Sequence, residues 1–174
     1  MDTEYYLTCF RSLNTNKSGG RIAPHKPILL ISLMDLYESG LLIGSRIELD
    51  ETLQRTFGDN WARYVGDSDI FRPHIATPFW HMRNEPFWEL VSKSGISENE
   101  ISSPYSVNVL KSNFYAQLDQ DLAKLMQNPF FRDSAMETLL DTYQLKYLNF
   151  SLSCTQKSQI SENKPQKYCR CQYL

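Results

Sequence analysis

The stretch FRPHIATPFWHMRNEPFW (residues 71–88) decides how this chain is interpreted, because no regular period explains its composition. It concentrates three prolines, three phenylalanines and two of the three tryptophans, whereas a core strand alternates apolar with polar residues. Prolines fix φ and so make the segment rigid. Aromatic side chains then anchor it to the body of the protein, which leaves Arg72, His81 and Arg83 to point outward. Two compatible interpretations stay open: a β-hairpin with core aromatics and its turn at residues 84–85, and a rigid binding platform.

The composition is that of one soluble globular domain that is rich in aromatic residues. A chain of 174 residues is long enough to bury a sizeable core. It contains no apolar run long enough to span a bilayer, and its first residues lack the basic and apolar regions of a signal peptide. Cys9 stands alone and the other cysteines fall in the tail, which is not the spacing of a disulfide framework. We therefore expect a cytoplasmic protein without a membrane partner.

Several helices are predicted from apolar periodicity and capping residues. The clearest covers residues 27–39, is apolar nearly all round and is therefore central and buried, with Pro27 at its start and Gly40 as its C-cap. A helix over residues 3–13 has Thr3 as its expected N-cap, and a helix over 51–64 follows Asp50 with a break near Gly58.

The second half of the chain gives weaker patterns until its last helix. Residues 87–91 alternate like a strand, residues 46–49 are a possible strand, and residues 105–118 fit either helix or strand. Asp119 and Asn128 are expected to cap two closing helices. The prediction is an α+β fold: a mainly helical single domain over residues 1–145, with a small β-hairpin or sheet that carries the Pro/aromatic segment. A basic tail over residues 146–174 is expected to be disordered.

Charge is distributed unevenly, although the formal net charge is only −2. From Tyr5 to Met34 there is no acidic residue, while Arg11, Lys17, Arg21 and Lys26 are present with His25. Because His25 and Lys26 begin a buried helix, free N–H groups and the helix dipole favour an anion beside them. Two alternatives stay open: a solvated surface that lacks acidic residues, and a His25 that caps the helix.

Motifs of catalysis are absent from the sequence. It has no Walker, Rossmann or Gly-x-Ser-x-Gly motif and no pair of Cys-x-x-Cys units. The histidines lack the i,i+4 pairing of zinc proteases. A metal site built from Asp69, His74 and His81 is a remaining alternative. We predict no catalytic residue, no metal and no cofactor.

Three segments together resemble a known family. They are APHKPILL (residues 23–30), TPFWHMRNEPFW (77–88), and LAKLMQNP (122–129) with LLDTY (139–143). Their order resembles the DNA sulfur-binding domain of McrA-like type IV restriction enzymes, in which this domain precedes an HNH nuclease domain. The resemblance covers roughly residues 3 to 145. It implies binding of double-stranded DNA in which a sulfur replaces one non-bridging phosphate oxygen, a phosphorothioate.

The resemblance also implies which residues touch the DNA. The Tyr-Pro pair of the family's sulfur pocket matches Thr77 and Pro78, where a threonine methyl replaces an aromatic ring. The family's His-Arg pair matches His25 and Lys26, where an ammonium replaces the bidentate guanidinium. The remaining expected DNA contacts are Lys17 and Arg21 to phosphates, and His81 and Arg83 to base edges.

The function predicted from the sequence is that of a recognition module in a type IV restriction system. The chain contains no HNH motif, so it is expected to bind DNA without cutting it, with a nuclease domain supplied in cis or in trans. Three alternatives remain: an enzyme that uses a histidine with a metal, a protein-interaction module whose aromatic stretch binds a polypeptide, and a fragment of an HNH endonuclease that has lost catalysis.

Overall fold

The computed structural model describes residues 2–93, 95, 100, 106–146 and 148. Within them the chain forms one mainly helical α+β domain, as predicted. Residues 149–174, and with them nearly all of the predicted tail, lie outside the described residues. In chain order the elements are α1 (Thr3–Arg11), β1 (Lys17–Ser18), β2 (Arg21–Ile22), α2 (His25–Glu38), β3 (Arg46–Ile47), α3 (Glu51–Tyr64), α4 (Ala76–His81), a 3-10 turn (Met82–Asn84), β4 (Trp88–Ser92), α5 (Val107–Asn113), β5 (Phe114–Leu118), α6 (Gln120–Met126) and α7 (Pro129–Tyr143).

Helix α2 is the centre of the core, as its composition predicts. It is buried on nearly every side and packs against α3, α4 and α7. The helix begins two residues earlier than predicted, at His25, so Pro27 lies within its first turn. A proline is tolerated there because the first N–H groups of a helix have no intrahelical partner. Ser39 is the C-cap, and Gly40 follows it with φ 70°.

A three-stranded antiparallel sheet, in the order β3-β5-β4, covers one side of the helices. Strand β5 is central, and Leu118 pairs with Trp88 at one end of its register with β4. The ambiguous range 105–118, whose first residue lies outside the described residues, contains both predicted structures in succession, because α5 ends at Asn113 and β5 begins at Phe114. The N-cap of α5 is Ser106, which is not among the predicted caps. Its hydroxyl accepts a hydrogen bond from Val109 N–H at 3.2 Å.

The predicted caps of the other helices are confirmed in three cases and wrong in one. Asp50, Asp119 and Asn128 each accept backbone N–H groups at the starts of α3, α6 and α7. Helix α1 is capped by Asp2, whose carboxylate accepts from Tyr5 N–H at 3.1 Å, and not by Thr3. The break predicted near Gly58 is also wrong, since α3 continues through this position. A single glycine costs a helix only about 1 kcal/mol, which tertiary packing on α2 offsets.

The Pro/aromatic segment is helical, so the predicted β-hairpin with a turn at residues 84–85 is wrong. Its centre forms α4 and the 3-10 turn, and only its last residue, Trp88, enters a strand. Pro78 is the third residue of α4, a position whose N–H has no helical partner in any case. The aromatic residues do anchor the segment: Phe79 packs edge-to-face on Trp88 at 5.6 Å, and Trp80 on Phe114 at 5.7 Å.

Helix α7 closes the domain against α1. The hydroxyl of Tyr143 donates to Phe10 O at 2.9 Å and accepts from Leu13 N–H at 3.1 Å, so the last turn of α7 is fixed to the end of α1. Gln144 then adopts the left-handed conformation (φ 54°), which turns the chain back toward α3. Among the described residues no helix is both long and apolar enough to cross a membrane.

Candidate nucleic-acid interface

His25 lies in an aromatic pocket at the first turn of α2. Its ring is 4.8 Å from that of Trp61 and 6.0 Å from that of Phe71, measured between ring centroids. His25 Nε2 is 2.8 Å from Arg72 O, and because a carbonyl only accepts, Nε2 carries the proton. Burial lowers the pKa of His25, which favours the neutral ring. His25 is therefore better suited to present an aromatic surface to a ligand than a positive charge.

Lys26 points into the protein, where it forms an ion pair with Glu85. Both side chains are almost fully buried, with 7% and 6% of their surface exposed. Glu85 Oε1 also accepts a hydrogen bond from Asn14 N–H at 3.0 Å. Glu85 therefore neutralises the Lys26 side chain and at the same time binds the loop after α1. The predicted contact of Lys26 with DNA stays a prediction, and the structure gives this lysine the additional role of fixing the Pro/aromatic segment to α2.

Thr77 and Pro78 occupy the first turn of α4 at different depths. Thr77 is exposed, whereas Pro78, the next residue of the helix, is buried. The Thr77 hydroxyl is 2.9 Å from Nδ1 of His74, which is also exposed. Of the two residues predicted to form the sulfur pocket, the one at the surface is therefore Thr77.

His81 and Arg83 lie at the other end of α4 and are half-buried. The Arg83 guanidinium donates to Trp80 O at 2.9 Å and stacks 4.2 Å above the centre of the Trp80 ring. Burial, followed by the charges of Arg83 and Lys26, lowers the pKa of His81. Arg83 is thus held along the protein surface in this structure, and the predicted contact of both residues with base edges stays a prediction.

Lys17 and Arg21 lie on a two-stranded hairpin formed by β1 and β2. Gly19 and Gly20 form its turn with φ 56° and 75°, as a tight hairpin turn of this handedness requires. A Cβ atom at Gly19 would lie only 2.9 Å from Ile70 Cδ1, so the turn packs closely on the loop that leads to α4. This packing places the two cations on the same side of the molecule as His25.

A cavity of about 630 Å³ separates the hairpin from the ends of α3 and α7. We call it the basic groove. Lys17, Arg21 and Lys146 are its cationic lining, and Phe71 and Leu145 are among its apolar lining. Asp67 is the one acidic residue that lines it among the residues that the structure describes. Because Phe71 also contacts His25, the groove continues directly from the α2 site.

Arg72, His74 and Lys146 lie in this region and are not among the predicted contact residues. Arg72 and His74 are exposed, one bonded to His25 through its carbonyl and the other to Thr77 through its ring. Lys146 belongs to the predicted tail, but the turn at Gln144 brings it into the basic groove. Arg72 and His74 fall in the opening stretch, yet their neighbours are set by the fold. Across the ranges that the structure describes, no group of three or more His, Cys, Asp or Glu residues is arranged to hold a metal ion, including Asp69, His74 and His81.

Two solved structures are similar to this chain in their fold. The sulfur-binding domain of SprMcrA, complexed with phosphorothioated DNA, has a TM-score of 0.63 and 18% sequence identity, covering 83% of this chain and 86% of that one. The chain has the fold of a sulfur-binding domain. The corresponding domain of ScoMcrA, also complexed with phosphorothioated DNA, has a TM-score of 0.59 and 16% identity, covering 80% of this chain and 87% of that one. The resemblance predicted from three sequence segments is confirmed at this level.

Neither a protein-family model nor a curated protein sequence matches the chain. Within the sulfur-binding-domain fold, the sequence motifs at residues 23–30 and 77–88 are both bonded to the loop that precedes α4. His25 bonds to the backbone of Arg72, and His74, two residues later, bonds to Thr77. We call these four residues the α2–α4 face. It combines an aromatic ring and a methyl group with the exposed side chain of Arg72, a combination suited to an anion that has one apolar atom.

Proposed function

We propose that the chain binds phosphorothioate-modified double-stranded DNA through the α2–α4 face, as the recognition module of a type IV restriction system. One observation carries this proposal: the fold is shared with two domains that were solved on phosphorothioated DNA. It is supported by the link of His25 and Thr77 to Arg72 and His74 of one loop. The Thr77 methyl and the His25 ring are the groups that would contact the sulfur. Pro78 and Lys26 are their buried neighbours in the chain, and both remain proposed contacts of the DNA.

The size of the expected sulfur preference follows from simple energetics. Sulfur is larger and less strongly hydrated than oxygen, and covering it with the Thr77 methyl and neighbouring apolar atoms contributes about 1 kcal/mol. A phosphate oxygen at the same place would lose water without gaining a donor, at a cost of roughly 1–3 kcal/mol. The sum of about 2–4 kcal/mol corresponds to roughly 30- to 700-fold. Neutral His25 contributes to this selectivity, because an imidazolium would offer the oxygen a charged hydrogen bond.

The remaining affinity comes from cations around the site. Arg72, Lys17 and Arg21 are exposed and make no ion pair with any residue that the structure describes. Each phosphate contact they form makes the logarithm of the binding constant fall with the logarithm of salt concentration, with a slope of about −0.9 per contact. His81 and Arg83 are the proposed contacts of base edges in the major groove, where arginine pairs with guanine.

Cutting of the DNA is not part of this proposal. The sequence contains no HNH motif, so the chain by itself is proposed to bind modified DNA without cleaving it. An HNH nuclease domain, acting in cis or in trans, would supply the cleavage in a restriction system.

The test compares two short duplexes that differ in one atom. One carries a stereodefined phosphorothioate and the other an ordinary phosphate, and binding is followed by fluorescence anisotropy over a salt series, in several core sequences and with both sulfur stereoisomers. We expect a sulfur preference of at least about 30-fold that persists as salt rises, because salt screens the phosphate contacts common to both duplexes. Equal and salt-sensitive binding of both duplexes would mean that the chain binds DNA only through a basic surface, without recognising the sulfur. No binding in any sequence would favour a protein-interaction module.

A further inference from the structure

The basic groove offers a second binding surface beside the α2–α4 face. Its cationic side is assembled from distant parts of the chain, since Lys17 and Arg21 come from the hairpin and Lys146 from the segment after α7. The groove is defined by the packing of its walls. Gly19 lies against Ile70, and beyond the groove Leu148 N–H donates to Arg63 O at 2.8 Å, which fixes the chain after α7 to α3.

The lining of the groove has the chemistry of a nucleic-acid backbone site. Three cations face one carboxylate, that of Asp67, among the described residues of the lining, which gives the groove a local excess of positive charge. Phe71 and Leu145 make part of the lining apolar, and this surface is suited to deoxyribose carbons. A volume of about 630 Å³ is within the range of cavities that enclose a ligand of several hundred daltons, enough for a short piece of backbone.

The position of the groove relates it to one flank of the DNA. Pro24 and Phe71 line the groove at one end, and these residues adjoin or contact His25. A strand whose modified phosphate lies on the α2–α4 face therefore enters the groove directly as it continues past Phe71. The hairpin and the end of α7 both line the groove. Their contacts with the DNA therefore lie on one side of the modified phosphate.

We infer that the basic groove binds the sugar–phosphate backbone on one side only of the phosphorothioate. This inference rests on the proposed function and adds to it a direction of the DNA, a continuous site and the contact residue Lys146. Lys17, Arg21 and Lys146 each neutralise a phosphate, while the apolar part of the lining takes the sugars between them. The protein thus contacts the DNA backbone on either the 5′ or the 3′ side of the phosphorothioate, without contacts to the bases there.

The test uses two duplexes that contain the same phosphorothioate core. The first duplex extends by a full helical turn on the 5′ side of the sulfur, counted on the modified strand. The second extends by the same length on the 3′ side. The chain with Lys17→Gln, Arg21→Gln and Lys146→Gln is compared with unmodified protein on both duplexes over a salt series. Because each exposed cation is removed without changing the core, the variant is expected to fold, which circular dichroism and thermal melting check.

For one duplex we expect the salt slope of the triple variant to be smaller in magnitude than that of the unmodified protein by roughly 2–3, which is about 0.9 for each of three phosphates. For the other duplex we expect a change below about 1. A matched control replaces Arg46, Lys111 and Lys124 by Gln, three cations on β3, α5 and α6 that pair with nearby acids. Lys124 lies just before the start of α7, and the groove lies at the other end of this helix. Because α7 has 15 residues, its two ends are about 22 Å apart. The control is expected to change both slopes by less than about 1.

Three outcomes would overturn the groove proposal while leaving the proposed function in place. The first is an equal loss on both duplexes, which indicates diffuse charge. The second is full binding of both duplexes by the triple variant. The third is that millimolar inorganic phosphate or a deoxynucleotide competes equally with both duplexes for the unmodified protein, which indicates a site for small anions. Absence of any sulfur preference in the unmodified protein would instead overturn the proposed function.

Discussion

Lys26 and Glu85 form an ion pair in the interior of the domain, although they are 59 residues apart in the sequence. The pair joins the first turn of α2 to the residue that follows the 3-10 turn of the Pro/aromatic segment. Glu85 holds the loop after α1 as well, through its bond to Asn14 N–H. Lys26 directly follows His25 of the proposed sulfur site, so the geometry of that site depends in part on this almost fully buried charge pair.

Breaking this pair should destabilise the domain. Lys26→Met leaves the Glu85 carboxylate buried without its partner, and we expect a loss of about 3–5 kcal/mol in the free energy of unfolding. Urea denaturation measures this change. Lys124→Met, which removes an exposed pair with Asp121, is the matched control and should cost less than about 1 kcal/mol. A small effect of Lys26→Met, within the range of the control, would show that the pair does not hold the segment in place.

The roles of Lys26 and His25 show where sequence reasoning ends. The pattern of α2 predicts a buried helix, and the rule that helix starts attract anions predicts a phosphate beside His25 and Lys26. In the structure the lysine side chain pairs with a carboxylate of the protein itself, and nothing local to residues 23–30 indicates a partner at position 85. The same local rule favours His25 as a contact of phosphate. Its packing against Trp61 and Phe71 and its bond to the Arg72 carbonyl arise from tertiary structure and make it neutral and aromatic.

The Pro/aromatic segment is predicted correctly as an element anchored by its aromatic residues and wrongly as a hairpin. Its prolines argue against a helix in general, but Pro78 falls within the first turn, where the missing N–H costs nothing. Capping residues are more informative, since Asp50, Asp119 and Asn128 act through hydrogen bonds two or three residues away. Local chemistry therefore predicts most helix starts, whereas the composition of the α2–α4 face requires knowledge of which loops meet.

Pro78 provides a test of the proposed sulfur site. Pro78→Ala removes buried ring carbons next to Thr77 in the chain, and we expect the preference for the sulfur duplex to fall by about 3- to 10-fold, near 1 kcal/mol. Binding of the ordinary duplex should change less, because its phosphate contacts are elsewhere. Pro86→Ala, at an exposed proline of the same segment, is the control and should leave both affinities unchanged. Equal losses on the two duplexes for Pro78→Ala would contradict the assignment of the pocket.

Arg72 offers a test of phosphate binding at the α2–α4 face. Arg72→Gln removes an exposed charge but keeps the backbone carbonyl that accepts from His25. We expect weaker binding of both the sulfur and the ordinary duplex, with a salt slope that is smaller by about 0.9 because one phosphate is no longer neutralised. Anisotropy titrations across a series of salt concentrations measure the slope. Lys124→Gln should leave the slope unchanged, and the assignment would be wrong if Arg72→Gln gave the same result as this control.

The neutral state of His25 predicts how stability depends on pH. Burial lowers the pKa of His25 in the folded protein from its ordinary value of 6.5. Between the lowered value and 6.5, the unfolded chain binds more protons at this residue than the folded protein does, so stability rises with pH in this window. Stability from His25 is therefore complete above about pH 6.5 and is lost as pH falls through that value toward the folded pKa. His81, whose pKa is lowered in the same direction, adds to the effect.

His25→Gln separates this contribution from the rest of the protein. A glutamine amide can donate to Arg72 O as the imidazole does, but it does not titrate. Between about pH 7.5 and pH 5 we expect the unfolding free energy of the unmodified protein to fall more than that of His25→Gln. Urea denaturation at half-unit pH steps measures both profiles, with Lys124→Gln as the control at an exposed residue whose partner is Asp121. Parallel profiles for the unmodified protein and His25→Gln would mean that His25 is not held neutral by its aromatic pocket.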